Sequence, residues 1–287
     1  MYNTILFPSD FFNKNTVDEE LREEYEAVVQ TGKYDVLIFS YEDWFENKML
    51  KINKKINEPI YAVYRGWMMK ADMYELFYNA LSSKQIYLVT SPSSYEKLHL
   101  FPNAYDLLKE DTAMMKTYPL HQFIDVEELK QDFDKFMVKD YVKSVKGTCF
   151  PKFFDRTITQ LKFDDCMKLF YQYRGKLLTG GICIKEYLDL KQYDRKTNEY
   201  RVFYVNHKIA TVSRNSQQID TSPKPPNELI EKYSNLDSFF YTIDYAQLDN
   251  NQWKIIECGD GQVSGLSDSQ DYERFYEILF NYLNEKY

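Results

Sequence analysis

Histidine and glycine are scarce in this chain, which has three His and nine Gly among its 287 residues. Its four cysteines, at positions 149, 166, 183 and 258, do not show the paired spacing of a zinc site. We therefore expect no zinc centre, and we interpret the cysteines as reduced thiols of the cytoplasm.

Long apolar runs are also missing, because none approaches the ~20 residues that cross a membrane. The N-terminus begins almost at once with apolar strand residues and lacks the basic region that opens a signal peptide. These absences predict a cytoplasmic protein that binds no membrane. What is present, 44% hydrophobic and 17% aromatic residues, is typical of a globular chain. A net charge of −8 and a pI of about 5.1 disfavour a broad nucleic-acid surface.

Residues 1 to about 110 alternate short apolar strands with helices, and this alternation predicts a small parallel α/β sheet. No Gly-x-Gly-x-x-Gly follows the first strand, which excludes a Rossmann dinucleotide site. Arg65 comes directly after a strand at 59–64, at the edge where open α/β sheets bind ligands. We expect it to hold a carboxylate or a phosphate bidentately. The alternative is that Arg65 pairs with a surface acid and that Trp67 simply packs.

Three of the nine glycines lie close together near the C-terminus, at positions 259, 261 and 265. A strand at 253–256 runs into this stretch, and an Asn-Asn turn separates it from a strand at 239–246. The two strands are therefore predicted to form a hairpin. Three carboxylates belong to the hairpin and to the turn after it, namely Asp244, Glu257 and Asp260. Such an oxygen-rich cluster is typical of a Mg²⁺ site completed by phosphate oxygens, although solvated acids on a surface hairpin are the alternative.

A strand beginning at 135–139 carries Lys139 and continues into a polar loop that contains Ser144 and Lys146. This arrangement suits a triphosphate, with the strand lysine at the α and β phosphates and the loop over the β and γ end. The spacing is not that of a Walker A loop.

At 180–190 a buried strand meets a linker that reads Lys185, Glu186, Tyr187, Leu188. Glu186 or a backbone carbonyl would accept a hydrogen bond from the adenine amino group, and the Leu188 amide would donate to the ring. An ordinary strand with exposed charges is the alternative. Farther on, period-2 alternation over 199–205 places Glu199 and Arg201 on one face of a strand. The return strand of that hairpin ends at Arg214, beside the same region.

In chain order, these pieces are a lysine strand with a small-residue loop, a Lys-Glu-Tyr-Leu linker, a Glu-x-Arg-Val strand, and an Ile-Asp-Tyr-Ala strand with an Ile-Glu-x-Gly turn. From about residue 60 to the C-terminus the chain resembles the ATP-grasp superfamily, in particular a small bacterial and viral subfamily that ends in a Glu-x-Gly-Asp-Gly-Gln-Val-Ser-Gly-Leu-like turn. The resemblance implies an α+β ATP-grasp fold, with two α+β subdomains gripping ATP, preceded by a small α/β pre-ATP-grasp domain. The expected domains are 1–110 and 111–287, the second with subdomains of about 111–188 and 189–287.

The resemblance also implies roles for individual residues. Those expected to bind ATP are Lys139, Ser144, Lys146, Lys185, Glu186, Tyr187, Leu188 and Glu199. Those expected to hold Mg²⁺ are Asp244, Glu257 and Asp260, and those expected to face the reacting phosphoryl group and the substrate are Arg65, Arg201 and Arg214. The sequence departs from the usual Glu-x-Asn turn, because Gly259 stands where the Asn would bind a second Mg²⁺. Asp260, one residue on, would substitute for it.

The function implied is that of an ATP- and Mg²⁺-dependent ligase that joins a carboxylate to an amine or another nucleophile through an acylphosphate, with release of ADP and phosphate. Catalysis would be mainly electrostatic, and the scarcity of histidine fits such a reaction. We expect an anionic small molecule or a peptide terminus as the substrate, no nucleic acid, and a monomer or homodimer. Two alternatives stay open. One is a kinase-like or nucleotidyl-transferring enzyme, including one acting on RNA ends. The other is a non-catalytic nucleotide-binding interaction protein, which Gly259 favours.

Overall fold

A parallel sheet of four strands forms the N-terminal part of the chain, in a computed structural model that describes residues 1–285. Its strands are β1 (Tyr2–Pro8), β2 (Asp35–Phe39), β3 (Ile60–Tyr64) and β4 (Ile86–Leu88), in the order β2-β1-β3-β4. The helices of this part are α1 (Arg22–Thr31, after a 3-10 turn at Glu19–Leu21), α2 (Tyr41–Asn47), α3 (Ala71–Ser82), α4 (Pro92–His99) and α5 (Phe101–Leu108). The predicted α/β alternation is confirmed.

A second sheet follows and is antiparallel. Its elements are β5 (Met115–Tyr118), α6 (Val126–Asp132), β6 (Lys135–Asp140), β7 (Phe154–Asp155), α7 (Gln160–Arg174), a 3-10 turn at Gly175–Leu177, and β8 (Ile182–Glu186), with the strand order β5-β8-β6-β7. Helices α6 and α7 cover one face, where Val138 and Ile184 are buried in a shared core. Because side chains alternate along a strand, Lys139 and Lys185 leave from the opposite face.

The third sheet carries the predicted hairpins, and both are confirmed. Its elements are β11 (Glu199–Val205), β12 (Lys208–Arg214), α8 (Asn227–Lys232), β13 (Phe240–Gln247), β14 (Trp253–Asp260) and α9 (Tyr272–Asn284), in the strand order β12-β11-β13-β14, after a small hairpin of β9 (Gln192–Tyr193) and β10 (Lys196–Thr197). None of the helices within residues 1–285 is long and apolar enough to span a membrane.

The front sheet and the third sheet are joined by shared hydrophobic cores. Leu98 and Phe101, at the end of α4 and the start of α5, are buried in one core with Val202 of β11. Phe275 of α9 is buried with Phe7 of β1 in another. Packing therefore crosses the boundary predicted near residue 110, and the boundary itself stays a prediction.

Strand β14 is longer than the sequence predicts, because it continues through Glu257 to Asp260 instead of turning after residue 256. Pairing with β13 keeps it extended, with Thr242 opposite Gly259 and Tyr241 opposite Asp260. Two-residue alternation then puts Glu257 and Gly259 on one face and Asp260 on the other. None of the three glycines of this stretch has a positive φ. Gly261 is required for a close approach instead, since a Cβ there would lie 2.5 Å from the ring of Phe240.

Candidate functional site

A cleft of about 1080 Å³ lies between the second and third sheets. It brings together most of the residues predicted to bind a nucleotide. Those that line it are Lys139, Ser144, Lys146, Lys185, Glu186, Tyr187, Leu188, Glu199 and Glu257. A cavity of this size, walled by apolar groups with a few convergent charges, is typical of a cofactor or substrate site.

The two lysines predicted to bind phosphates are buried side by side on neighbouring strands. Lys139 and Lys185 retain only 6% and 4% of their exposure. Nζ of Lys185 donates to the carbonyl of Ile256 at 2.8 Å, and Nζ of Lys139 lies 3.5 Å from Oε1 of Glu257. Both ammonium groups also lie over the ring of Phe101, at 3.9 Å for Lys185 and 5.5 Å for Lys139. Two desolvated cations that share one carboxylate favour the binding of a polyanion such as a triphosphate.

The position of Lys185 predicts how nucleotide binding depends on pH. Burial, and then the charge of Lys139, lowers the pKa of Lys185 to about 7. Phosphate oxygens beside the ammonium group would stabilise its charged form and raise this pKa again. ATP binding above pH 7 is therefore expected to take up about one proton, and the affinity to fall by up to about tenfold per pH unit. Calorimetry in two buffers of different ionisation enthalpy measures the proton uptake.

Lys185→Met is the control for this measurement, because it keeps the aliphatic stem over Phe101 and removes the titrating group. Any proton exchange that remains in the variant belongs to ATP itself. Equal proton uptake in the wild type and the variant would show that Lys185 is not the group that titrates.

The linker after β8 presents the groups predicted to contact adenine. Oε2 of Glu186 accepts from the amide of Met114 at 3.2 Å, and the amide of Tyr187 donates to the carbonyl of Lys135. The amide of Leu188 donates to no other group within residues 1–285, although the residue lines the cleft. It is thus available to a ligand, as its predicted role requires.

The loop after β6 is held by Asp140, a residue that the sequence analysis passed over. This carboxylate has no exposed surface, and it accepts from the amides of Val142 and Lys143 and from Nε of Arg174 at 2.8 Å. A loop with a single glycine is thereby fixed over the mouth of the cleft.

Two of the three carboxylates predicted to bind metal lie side by side. Asp244 of β13 and Glu257 of β14 are directly paired across the hairpin. Both oxygens of Asp244 accept from Arg201, at 2.8 Å from Nε and 2.7 Å from Nη2. The Glu257 side chain keeps 40% of its exposure towards the clefts. Burial alone would raise the pKa of Glu257, but the charges of Lys139 and the neighbouring cations outweigh it and the net shift is downward, so the group is ionised at neutral pH.

This donor set fits one Mg²⁺ bound together with phosphate oxygens. Two adjacent ionised carboxylates are what such sites provide, since Mg²⁺ keeps part of its shell for water and for the substrate phosphates. Within residues 1–285 no group of three or more His, Cys, Asp or Glu side chains could hold a metal ion by itself. Gly259 adds no side-chain donor, so the side chains present match one ion and not two.

The structure corrects the prediction for Asp260. Because β14 continues through this residue, its side chain leaves from the face opposite Glu257 and is completely buried. Oδ1 accepts from the amide and the side-chain nitrogen of Gln262, and burial raises the pKa of Asp260 to about 7. Asp260 therefore cannot replace the missing metal ligand at Gly259.

The structure also corrects the role predicted for Arg65, which is 1% exposed. Its guanidinium binds the buried carboxylate of Glu24 through Nε and Nη2, both at 2.9 Å. It donates as well to the carbonyls of Gly261 and Ser264. The fork predicted to hold a substrate carboxylate is thus already occupied, and it fastens the chain after β14 to the edge of the front sheet.

Gln262 completes this fastening. Its Oε1 accepts from the amide of Tyr64, and its side-chain nitrogen donates to the hydroxyl of Tyr74 at 2.7 Å. The Gly-Asp-Gly-Gln stretch is thus an anchor between the two sheets, and its hydrogen bonds account for the short residues on either side of it.

The other two arginines differ in position. Arg201 reaches a second, smaller cleft, where it is paired with Asp244. Arg214 lines neither cleft and pairs with Asp220 at the end of β12. The prediction that Arg214 faces the reacting group is therefore not supported by its location.

The second cleft, of about 360 Å³, opens beside the first towards the front sheet. Six residues line both clefts and so mark their junction, namely Trp67, Met68, His99, Val142, Lys143 and Glu257. Sequence reasoning missed His99 and Lys143. The rarity of histidine was the available signal for the first, and nothing in the local pattern separates Lys143 from its neighbours.

A model of an ATP-grasp domain family, the third family of its clade, matches residues 128–279. The chain belongs to this ATP-grasp family. The resemblance drawn from its motifs is thereby confirmed. No curated protein matches the chain in sequence.

Solved structures show the same ATP-grasp fold over nearly the whole chain. The ATP-grasp ligase PsnB, complexed with a phosphomimetic variant of its minimal precursor, Mg and ADP, has a TM-score of 0.60 at 10% identity, covering 98% of this chain and 97% of that one. D-alanine–D-alanine ligase from Bacillus anthracis, complexed with ATP, has a TM-score of 0.59 at 13% identity, covering 99% and 97%. D-cycloserine synthetase DcsG has a TM-score of 0.60 at 12% identity, covering 98% and 100%. The predicted fold class is confirmed.

Proposed function

We propose that this ATP-grasp protein is an ATP- and Mg²⁺-dependent ligase that joins a carboxylate to an amine through an acylphosphate. The observation that carries the proposal is the meeting of two clefts at Glu257. One cleft has two buried lysines suited to a triphosphate, and the other is large enough for an amino-acid-sized group. The structural neighbours named above include ligases that act on peptide precursors and on D-alanine.

In this proposal the first cleft holds ATP. Lys139 and Lys185 bind its phosphates, Ser144 and Lys146 close over the β and γ end, and the linker from Glu186 to Leu188, with Glu199 nearby, holds the nucleoside. Asp244 and Glu257 would hold Mg²⁺, which supplies neutralisation of the phosphate charge. Arg201 keeps Asp244 oriented by donating to both of its oxygens.

The substrate carboxylate attacks the γ-phosphorus from the second cleft. A new O–P bond forms, the bond to the β-phosphate oxygen breaks, and ADP leaves. An amine nitrogen then attacks the acyl carbon, so that a C–N bond forms, the C–O bond to phosphate breaks, and one proton is released from nitrogen. Lys143 lies at the junction with no carboxylate partner within residues 1–285, and it would neutralise the charge shared between the donor phosphate and the acceptor carboxylate.

The three arginines no longer support an anionic substrate, because each has a carboxylate partner. Lys143 remains as the cation for the carboxylate end of the substrate. We keep a small molecule or a peptide terminus as the substrate class. A cytoplasmic location and a monomeric or homodimeric state stay predictions.

Thermal unfolding and product analysis test the proposal. Mg²⁺ and ATP together should raise the free energy of unfolding by about 2.7 kcal/mol at a ligand concentration near 100 times Kd. Turnover with the substrate should release ADP and phosphate. Release of AMP and pyrophosphate would indicate a nucleotidyltransferase instead. Binding of ATP with no product under any substrate screen would favour the non-catalytic alternative, and an unchanged melting curve would refute nucleotide binding.

A further inference from the structure

The second cleft has an acidic outer wall. Glu20 and Glu23, on the turn and helix that begin this wall, are exposed and take part in no ion pair within residues 1–285. Five carboxylates and three cations line the cleft, a formal excess of two negative charges. Two of those cations, Arg65 and Arg201, are already neutralised by Glu24 and Asp244. The wall near Glu20 and Glu23 therefore favours a positive group on the ligand.

The inner end of the same cleft carries an unpartnered histidine. His99, at the end of α4, is 7% exposed and stacks on the ring of Tyr95 with centroids 4.7 Å apart. Its ring nitrogens form no hydrogen bond to any group within residues 1–285, and the residue lines both clefts. Burial, then the charge of Lys143, lowers the pKa of His99 to about 4 against the opposing effect of Glu257 and Asp140. The imidazole is thus neutral at pH 7, with one nitrogen free to accept.

We propose that the nucleophile of this enzyme is a basic amine, with its reacting amino group at His99 and a second positive charge towards Glu20 and Glu23. A lysine-like amino acid, a diamine or a basic residue of a peptide has this chemistry. The inference rests on the proposed ligase function and names the second substrate class. The volume of about 360 Å³ suits a molecule of this size.

The geometry gives each group a definite part. The neutral amine donates one N–H to the free imidazole nitrogen, which directs its lone pair towards the acyl carbon at the junction of the clefts. The nitrogen forms the new C–N bond, phosphate leaves with the C–O bonding electrons, and the proton lost from nitrogen passes to the imidazole and then to solvent. The distal ammonium of the ligand remains charged and is attracted by the two glutamates.

Amine binding to the full chain tests this assignment. The probes are lysinamide and norleucinamide, which share a backbone amine and a chain of similar length but differ in the terminal ammonium. With Mg²⁺ and a non-hydrolysable ATP analogue, lysinamide is expected to bind at least about tenfold more tightly. The double variant Glu20→Gln, Glu23→Gln should abolish that preference, whereas Glu19→Gln, a neighbour already paired with Arg22, should keep it.

Variants of His99 separate a chemical role from a structural one. His99→Phe keeps a ring to stack on Tyr95 and should weaken both amines by about five- to tenfold, while the lysinamide preference stays. His99→Gln restores an acceptor and should recover part of the loss. Similar amine affinity in wild type and His99→Phe, a preference for glutamate over lysinamide, or no saturation by lysinamide at millimolar concentration would each overturn the inference.

Affinity for the ATP analogue is recorded in the same titrations, and amine binding is also measured without nucleotide. Loss of nucleotide binding alone would refute the proposed function, whereas normal nucleotide binding with no amine preference would refute only the assignment of the nucleophile.

Discussion

Glu257→Gln should remove the Mg²⁺ dependence of ATP binding and reduce turnover by at least about 100-fold. Glu257 is the one carboxylate common to both clefts, and its partner across the hairpin, Asp244, is already engaged by Arg201. An amide oxygen lacks the full charge that a hard cation requires. Since the side chain keeps 40% of its exposure, the fold should survive the change. Calorimetry with ATP, in Mg²⁺ and in EDTA, measures the effect without knowledge of the substrate.

Asp260→Asn is the matched control, three residues along the same strand. It should leave the Mg²⁺-dependent affinity within about twofold of wild type, because Asp260 lies on the other face of β14. Its effect should appear in stability. A carboxyl whose folded pKa is raised to about 7 loses stability as the pH rises from about 4 to 7, and the amide should relieve this loss at higher pH. Equal loss of Mg²⁺ dependence in both variants would return Asp260 to the metal site.

The contrast between these two acids shows where the sequence sufficed. Period-2 patterns and turn residues placed Lys139, Lys185 and Glu199 on strands that converge on one cleft, because local spacing alone decides which face of a strand a side chain takes. The same rule was not applied past residue 256, since three glycines and an Asp suggested a turn. Pairing with β13 keeps those residues extended, and that pairing is a long-range interaction.

The second cleft could not be predicted from local patterns at all. His99 ends a short helix, Glu20 belongs to a 3-10 turn, and Glu257 lies on a distant strand. Their meeting depends on α4 and α5 packing against the third sheet while α9 returns to the front sheet. Side-chain identity indicates what a group can do, but only the packing of the sheets decides which groups meet.

Arg65→Lys should destabilise the protein strongly, by about 3 kcal/mol or more. The guanidinium is the hub of a buried network in which its partners lie 41, 196 and 199 residues away, at Glu24, Gly261 and Ser264. A lysine keeps the charge but loses the planar fork, so one or both of the buried carbonyls would lose a donor and Glu24 would keep a single contact. An unsatisfied buried polar group costs about 1–3 kcal/mol, and breaking a buried ion pair about 3–5 kcal/mol. At about 2–4 °C per kcal/mol, thermal unfolding should shift downward by at least about 6 °C.

Arg22→Lys provides the control for this prediction, because its exposed pair with Glu19 should contribute less than about 1 kcal/mol. A second comparison separates charge from packing. Arg65→Met leaves Glu24 buried without a partner, so adding Glu24→Gln to it should recover part of the lost stability, whereas independent sites would show additive losses. If Arg65→Lys melts within about 2 °C of wild type but binds the substrate poorly, the guanidinium serves the ligand and the role first predicted for it from the sequence is the correct one.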